Sequence, residues 1–311
     1  MRVQTRRRVE QVVGALAAVV AGAVALSVLA GVLSDGSWPW VVATYLRWPQ
    51  VLLITAATGV LITTRWWRSA VATAVVAAGL IISVAAPLAA MTTEPAPDGQ
   101  TLRIVVFNTG PGDGNFDAVA EAVADAQPDV AVMLESEDIA DRLDDRLDGL
   151  TRLPTSIDSP VTSPPVVLAR RDWPVTIERV GDDRAVSIVT VEVEGRPVDI
   201  VAAHPLPPVT REWTRSHQRS VRMLTETILP REHPYVLACD CNSSPWTPSM
   251  QQLLDVGLRA PTVAPTFGAP VIGVPVDHIL LSRELIAVAR DLGPFAGSDH
   301  RLIVTEIAFR R

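Results

Sequence analysis

Eight polar residues stand where apolar runs stop: Asn108, Glu135, His204, Asp240, Asn242, Asp277, Asp299 and His300. Taken singly, each has an ordinary reading as a turn or Asx residue. Taken together they share a chemistry. Carboxylate and amide oxygens suit a hard divalent cation such as Mg²⁺. A histidine beside an aspartate is an oriented base, or a stabiliser of developing charge. No Cys/His set has zinc spacing. The combination suits metal-assisted attack of water on a phosphate. Only five histidines occur in the chain, and three of them, His204, His278 and His300, fall at these ends. His278 follows Asp277 directly, and strand neighbours face opposite ways, so it is expected to point away from Asp277.

Such residues can meet only if the runs before them are packed strands, whose ends converge on one rim where loops carry function. From Gln100 onward the pattern fits. "TLRIVVFN", "VAVMLE", "VVLAR", "AVSIVTVEV", "PVDIVAAH", "YVLACDCN", "VDHILLS" and "HRLIVTEIAF" read as strands. "NFDAVAEAVADAQPD", with Asn115 as its cap, reads as a helix. So do "IADRLDDRLDGL", "REWTRSHQRSVRMLTETIL" and "TPSMQQLLDVG". The spacing of two between Asp240 and Asn242 places both on one face of their strand. These elements alone give an α/β or α+β domain over 101–311.

The first third of the chain is different. Hydrophobic residues make up 48% of the 311, and the excess lies in 11–91. Gln11 to Leu33 is uncharged and exceeds the roughly 20 residues that cross a bilayer. Val41 to Thr64 is interrupted by Arg47 and Pro49, which predicts a kink or an interfacial outer half. Ser69 to Met91 is the third apolar stretch. Trp38, Trp40, Trp48, Trp66 and Trp67 cluster at the ends of these stretches, as amphipathic rings do at headgroup level. A cleaved signal peptide is the alternative for the first stretch, but its apolar core is longer than the usual 7–15 residues. Arg2, Arg6, Arg7 and Arg8 precede the first span, and Arg65 and Arg68 lie between the second and third. Basic loops stay cytoplasmic. The expected order is a basic cytoplasmic segment (1–10), three transmembrane helices (11–91), a linker (92–100) and an extracytoplasmic domain (101–311) in a multi-pass cell-membrane protein.

The outer domain resembles the endonuclease/exonuclease/phosphatase (DNase I-like) superfamily over about 101–310, most closely a bacterial membrane-anchored subgroup. The resemblance is carried, in order, by "IVVFNTG", "QPDVAVMLES", "VVLARRDWP", "VAAHPLPP", "RSHQRSVRMLTE", "ACDCNSSPW", "VPVDHILLS" and "GSDHRLIV". It implies a four-layer α/β sandwich with two mixed sheets face to face. It also implies a Mg²⁺- or Mn²⁺-dependent phosphoric ester hydrolase, most simply a phosphodiesterase or nuclease. The phosphodiester substrate would be nucleic acid or a lipid head group, and a catalytically inactive binding module is the non-enzymatic alternative. No protein partner can be inferred.

Carried over by position, Glu135 would be the principal metal ligand, with Asn108 and Asp299 or Asp240 close by. His204 would contact the scissile phosphate, Asp240 would align or deprotonate water, and Asn242 would hold a phosphate oxygen. His300 would be base or phosphate stabiliser, oriented by Asp277 or Asp299. The choice of base between Asp240 and His300 stays open. Cys239 and Cys241 stand where the family usually has Gly and Phe. Lying two apart, they are expected to be buried thiols rather than a disulfide.

Overall fold

The computed structural model describes residues 2–33, 36–89, 92–95, 99–110, 115–154, 164–179, 186–228, 231–270 and 272–311. Met91 and part of the 92–100 linker lie outside them.

Four helices come first: α1 (Arg2–Leu33), α2 (Trp40–Tyr45), α3 (Arg47–Thr63) and α4 (Trp67–Ala89). α1 and α4 are long and apolar enough to cross a membrane. The second apolar stretch is broken at Leu46, beside Arg47 and Pro49, into the short α2 and the 17-residue α3. Small residues bring the helices together: Ala17, Ala21, Ala57, Ala70 and Ala77 form one buried cluster with Ile54 and Leu61. The outward faces stay apolar. Leu16, Val19 and Leu26 on α1, Leu53 on α3 and Val71, Val75 and Ile82 on α4 are all exposed. A bundle that is apolar both inside and outside suits lipid as its solvent.

The remaining elements are β1 (Leu102–Asn108), α5 (Phe116–Ala126), β2 (Val130–Leu134), α6 (Ala140–Arg146), β3 (Leu150–Arg152), β4 (Val166–Arg170), β5 (Val175–Arg179), β6 (Val186–Val193), β7 (Arg196–Ala203), α7 (Arg211–Ile228), β8 (Tyr235–Asp240), α8 (Pro248–Asp255), β9 (Asp277–Leu281), β10 (Leu285–Leu292) and β11 (Ile303–Phe309). They build two mixed sheets, ordered β10-β11-β1-β2-β4-β3 and β5-β6-β7-β8-β9. Alternation along each strand decides which layer a side chain joins. Leu102, Ile104 and Val106 face inward to meet Val189, Ile200 and Val236 of the other sheet. Val105 and Phe107 face outward onto Val119 and Val123 of α5. In the second sheet Val201 and Leu237 face outward onto Val221 and Leu224 of α7. Helix, sheet, sheet, helix is the four-layer sandwich expected.

Each sheet has one parallel pair, β1 with β2 and β7 with β8. Parallel neighbours end on the same side, so Asn108, Glu135, His204 and Asp240 arrive at one rim. β9 runs antiparallel to β8 with Asp277 opposite Asp240, which brings the start of β9 to that rim as well.

Three local expectations need correction. Asn115 does precede α5, but its side chain makes no cap; its Nδ2 donates to the Gly297 carbonyl. β8 ends at Asp240, so Asn242 shares no strand face with it. Asn242 lies at φ +42°, past the turn. That turn also overturns the reading of the cysteines. Cys239 and Cys241 are disulfide-bonded, with Cα atoms 5.0 Å apart. An extended strand would hold residues two apart at over about 6 Å, but the chain folds back after Asp240. Both sulfurs still pack in the apolar layer under α7 and α8.

Candidate active site

The rim residues meet in one cavity of about 780 Å³, lined among others by Glu135, His204, Asp240, Asn242, Asp299 and His300. Asp240 sits at its floor and is buried. Its Oδ1 accepts from the Asn242 backbone N–H at 2.9 Å, and its Oδ2 accepts from Asn108 Nδ2 at 3.0 Å. The same Asn108 amide reaches Glu135 Oε1 at 3.1 Å. Asn108 thus bridges the carboxylate of one sheet to that of the other. Its own Oδ1 accepts from the Gly110 N–H.

Glu135 is turned to the cavity by a backbone φ of +53° immediately after β2. A non-glycine residue in the left-handed region is strained, and such strain concentrates at functional sites. His204 Nε2 lies 3.5 Å from Glu135 Oε1 and 3.6 Å from Asp240 Oδ2. His300 Nδ1 donates to Asp277 Oδ2 at 2.9 Å, which leaves Nε2 facing Asp240 Oδ2 at 3.8 Å. The Phe267 ring backs the His300 imidazole with centroids 4.8 Å apart. Asp299 and His300 are steadied by Ser298, whose hydroxyl donates to the Asn108 carbonyl and accepts from the His300 N–H.

Electrostatics follow from this crowding. Burial alone would raise the Asp240 pKa, but the adjacent His204 and His300 imidazoles and the Asn242 N–H bring it down to about 2. Burial alone would lower the His300 pKa; its bond to Asp277 and the charges of Asp277, Asp240 and Asp299 reverse that and raise it to about 9. His204 is raised in the same manner, chiefly by Asp240 and Glu135 against its burial. Asp277 is raised by its own burial and by Asp240, against the pull of His300. The floor therefore holds an anionic Asp240 between two imidazoles that favour the charged form.

His278 and His217 belong to the frame. His278 is buried on the far face of β9, accepting from the Thr262 N–H at 3.0 Å and bonding the Ser243 carbonyl at 2.7 Å. Desolvation lowers its pKa to about 4. Asn242 lines the cavity, and its Nδ2 donates one hydrogen bond to the Pro205 carbonyl. His217 on α7 ties Leu206 O (2.9 Å) to Ser243 Oγ (3.0 Å), locking the loop after β7 to the loop after β8. Burial holds it near 4 and hence neutral. Thr266 Oγ1 accepts from the N–H groups of Val276 and Asp277. Nothing in the sequence marked these two residues beyond a histidine on the buried side of an amphipathic helix. A third was hidden in the apolar third of the chain: the Tyr45 hydroxyl donates to the Asn242 carbonyl.

The donor set fits a divalent cation. Five carboxylates line the cavity, Glu135, Glu137, Asp138, Asp240 and Asp299, and among the described residues no arginine does. An anionic ligand needs positive charge there, and oxygen donors are what hard cations take. Asp240, Asp277 and His300 also present ligand atoms within 4.8 Å of one another. Their closeness has another cause, because the Asp277–His300 hydrogen bond occupies both facing atoms. The oxygens left open to the cavity are those of the rim carboxylates.

Comparison with known proteins agrees with the geometry. The sequence matches the endonuclease/exonuclease/phosphatase family over residues 107–300. No curated protein matches it. Among solved structures it is similar to an endonuclease/exonuclease/phosphatase from Bacteroides vulgatus (TM-score 0.55, 13% identity, 68% of this chain and 100% of that one). It is similar to the human Nocturnin catalytic domain (0.53, 16%, 70% and 96%). A third is a mannosyl-6-phosphatase from Bacteroides thetaiotaomicron (0.52, 12%, 67% and 100%). At these identities the likeness is one of fold.

Proposed function

Because the chain belongs to the endonuclease/exonuclease/phosphatase family, whose members hydrolyse phosphoric esters, we propose that it is a membrane-anchored, extracytoplasmic, divalent-metal-dependent phosphodiesterase. The observation that carries this reading is the convergence of Glu135, His204, Asp240 and His300 from both sheets onto one cavity. Glu135 and Asp299 would hold Mg²⁺ or Mn²⁺, with Asn108, expected from the sequence as a ligand, instead steadying Glu135 through its amide N–H; the ion when bound would offset charge on a phosphate oxygen.

The chain's own residues supply the rest. Asp240, held by Asn108 and Asn242, accepts a hydrogen bond from the attacking water and so aims its lone pair at phosphorus. His204 and His300 present N–H groups to the non-bridging oxygens, where charge builds as the new P–O bond forms and the ester P–O bond breaks. Asp277, bonded to Nδ1, fixes the His300 ring so that Nε2 faces the cavity. With its ring protonated, His300 serves as a donor, and Asp240 aligns the water. The proton lost by water ends on the departing alkoxide.

The membrane placement rests on two long apolar helices and on the two ends of the bundle. Trp66, between Arg65 and Arg68, packs on Gly14 near the basic N-terminus. At the other end Trp48 Nε1 donates to Val263 O, and Trp246 Nε1 donates to Ser83 O. The arginines of 2–8 and 65–68 thus sit at the end away from the hydrolase domain, with Arg47 buried at the other end, an arrangement that supports an outward-facing domain. The Cys239–Cys241 bridge suits an oxidising compartment.

The test is hydrolysis of bis(4-nitrophenyl) phosphate by the full-length protein in detergent. Chelation should abolish turnover, and added Mg²⁺ or Mn²⁺ should restore it. Undiminished turnover in excess chelator would remove the metal from the account.

A further inference from the structure

The volume of the cavity, about 780 Å³, is that of a site for a sizeable organic ligand. Its floor is polar and its outer wall is not. Val42 of α2, Leu46 at the break after it, Val209 and Trp213 around the start of α7, and Phe267 and Val274 before β9 form that wall. All but Val274 are exposed. Apolar side chains gathered round one opening mark a binding surface.

Two of the six belong to the apolar bundle. Trp38 Nε1 donates to the Val209 carbonyl at 3.0 Å, and Tyr45 holds Asn242, so bundle and rim are joined edge to edge. The mouth of the cavity begins where the lipid-facing surface of the helices ends. The same lining offers carboxylates and no arginine among the described residues. A nucleic acid strand needs successive cationic contacts for its phosphates, and a small hydrophilic ester gains nothing from an apolar wall.

We propose that the substrate is a lipid-borne phosphoester that enters sideways from the outer leaflet past α2. Its phosphate lies over Asp240 and His300, and its alkyl chain lies along Val42, Leu46, Val209 and Trp213. This rests on the hydrolase reading above and narrows it to one substrate class.

Two phosphodiesters with the same leaving group separate the two claims: methyl 4-nitrophenyl phosphate and hexadecyl 4-nitrophenyl phosphate. Both are assayed with full-length protein in the same detergent with Mn²⁺. The hexadecyl ester should exceed the methyl ester in kcat/KM by at least about tenfold, the effect of burying roughly two methylenes. Micellar partitioning also favours the long chain, so the ratio is compared with that of a Leu46→Ser/Val209→Ser double variant, in which it should fall several-fold. Circular dichroism shows whether that variant is folded, and the Leu46→Ser and Val209→Ser single variants take its place if it is not. Equal efficiencies for the two esters, or a ratio the variant does not change, would overturn the lipid assignment and leave the hydrolase standing. Faster cleavage of a short DNA duplex would overturn it as well. No cleavage of either ester would remove both readings together.

Discussion

Asp277 never reaches the cavity, yet it decides which nitrogen of His300 does. Its carboxylate is buried and bonded to His300 Nδ1 at 2.9 Å. Asp277→Asn keeps the shape but removes the charge and presents an N–H to the ring. It should lower kcat about 100-fold or more while changing KM little, as steady-state kinetics would show. A change below threefold would make Asp277 a packing residue. The sequence revealed the polar residues at this scale because carboxylates and histidines at strand ends are few and stand out against apolar runs. It did not reveal geometry that depends on a turn. The chain bends at Asp240, where β8 ends, and brings Cys241 back to Cys239, and spacing counted along an ideal strand concealed that. Intact mass under non-reducing conditions should be two hydrogen atoms below that of the reduced chain.

Among the elements, strands buried on both faces were legible, because their apolar runs are long and end sharply. β3, β5 and β10 were not. β3 has three residues. β5 alternates polar and apolar at a sheet edge. β10 carries a register shift between Ala287 and Ala289, which breaks the period-two pattern. On β7, buried Asp199 accepts from Thr190 of β6 and from Arg231 and His233 before β8. Burial opposes its ionisation, but these bonds hold its pKa below the usual carboxylate range. A carboxylate depressed on folding contributes stability above its unfolded pKa, and loses it as pH falls through the folded value. Asp199→Asn should therefore cost roughly 3 kcal/mol at pH 7. In thermal melts the gap between variant and wild type should narrow below about pH 4. A gap independent of pH would show that the cluster is held by shape alone.

At the scale of the molecule, residues 98–311 hold 31 acidic and 20 basic side chains, a net charge of −11. The four arginines on one face of α7, Arg211, Arg215, Arg219 and Arg222, are exposed, and none lines the cavity. Binding of a short DNA duplex by the Glu135→Gln protein should therefore fall only shallowly with salt, well under the slope of a protein making about 6–10 phosphate contacts. A steep slope would mean a basic groove and would favour a nuclease. The apolar stretches were legible from composition. Their contact with the site was not, because Tyr45 and Leu46 read as membrane residues until the fold set them against the rim. A reporter active only outside the cytoplasm should work when fused after Arg311 and be silent in the Arg65–Arg68 turn; the reverse pattern would invert the orientation.

The central claim is that one cavity, with Asp240 at its floor, hydrolyses phosphoric esters. Asp240→Asn tests it most directly, assayed as full-length protein on methyl 4-nitrophenyl phosphate with saturating Mn²⁺, with circular dichroism as the check on folding. The expected result is a native spectrum with kcat reduced at least about 100-fold, the scale of losing a positioned proton acceptor. A folded variant that retains more than a tenth of wild-type turnover would contradict the account.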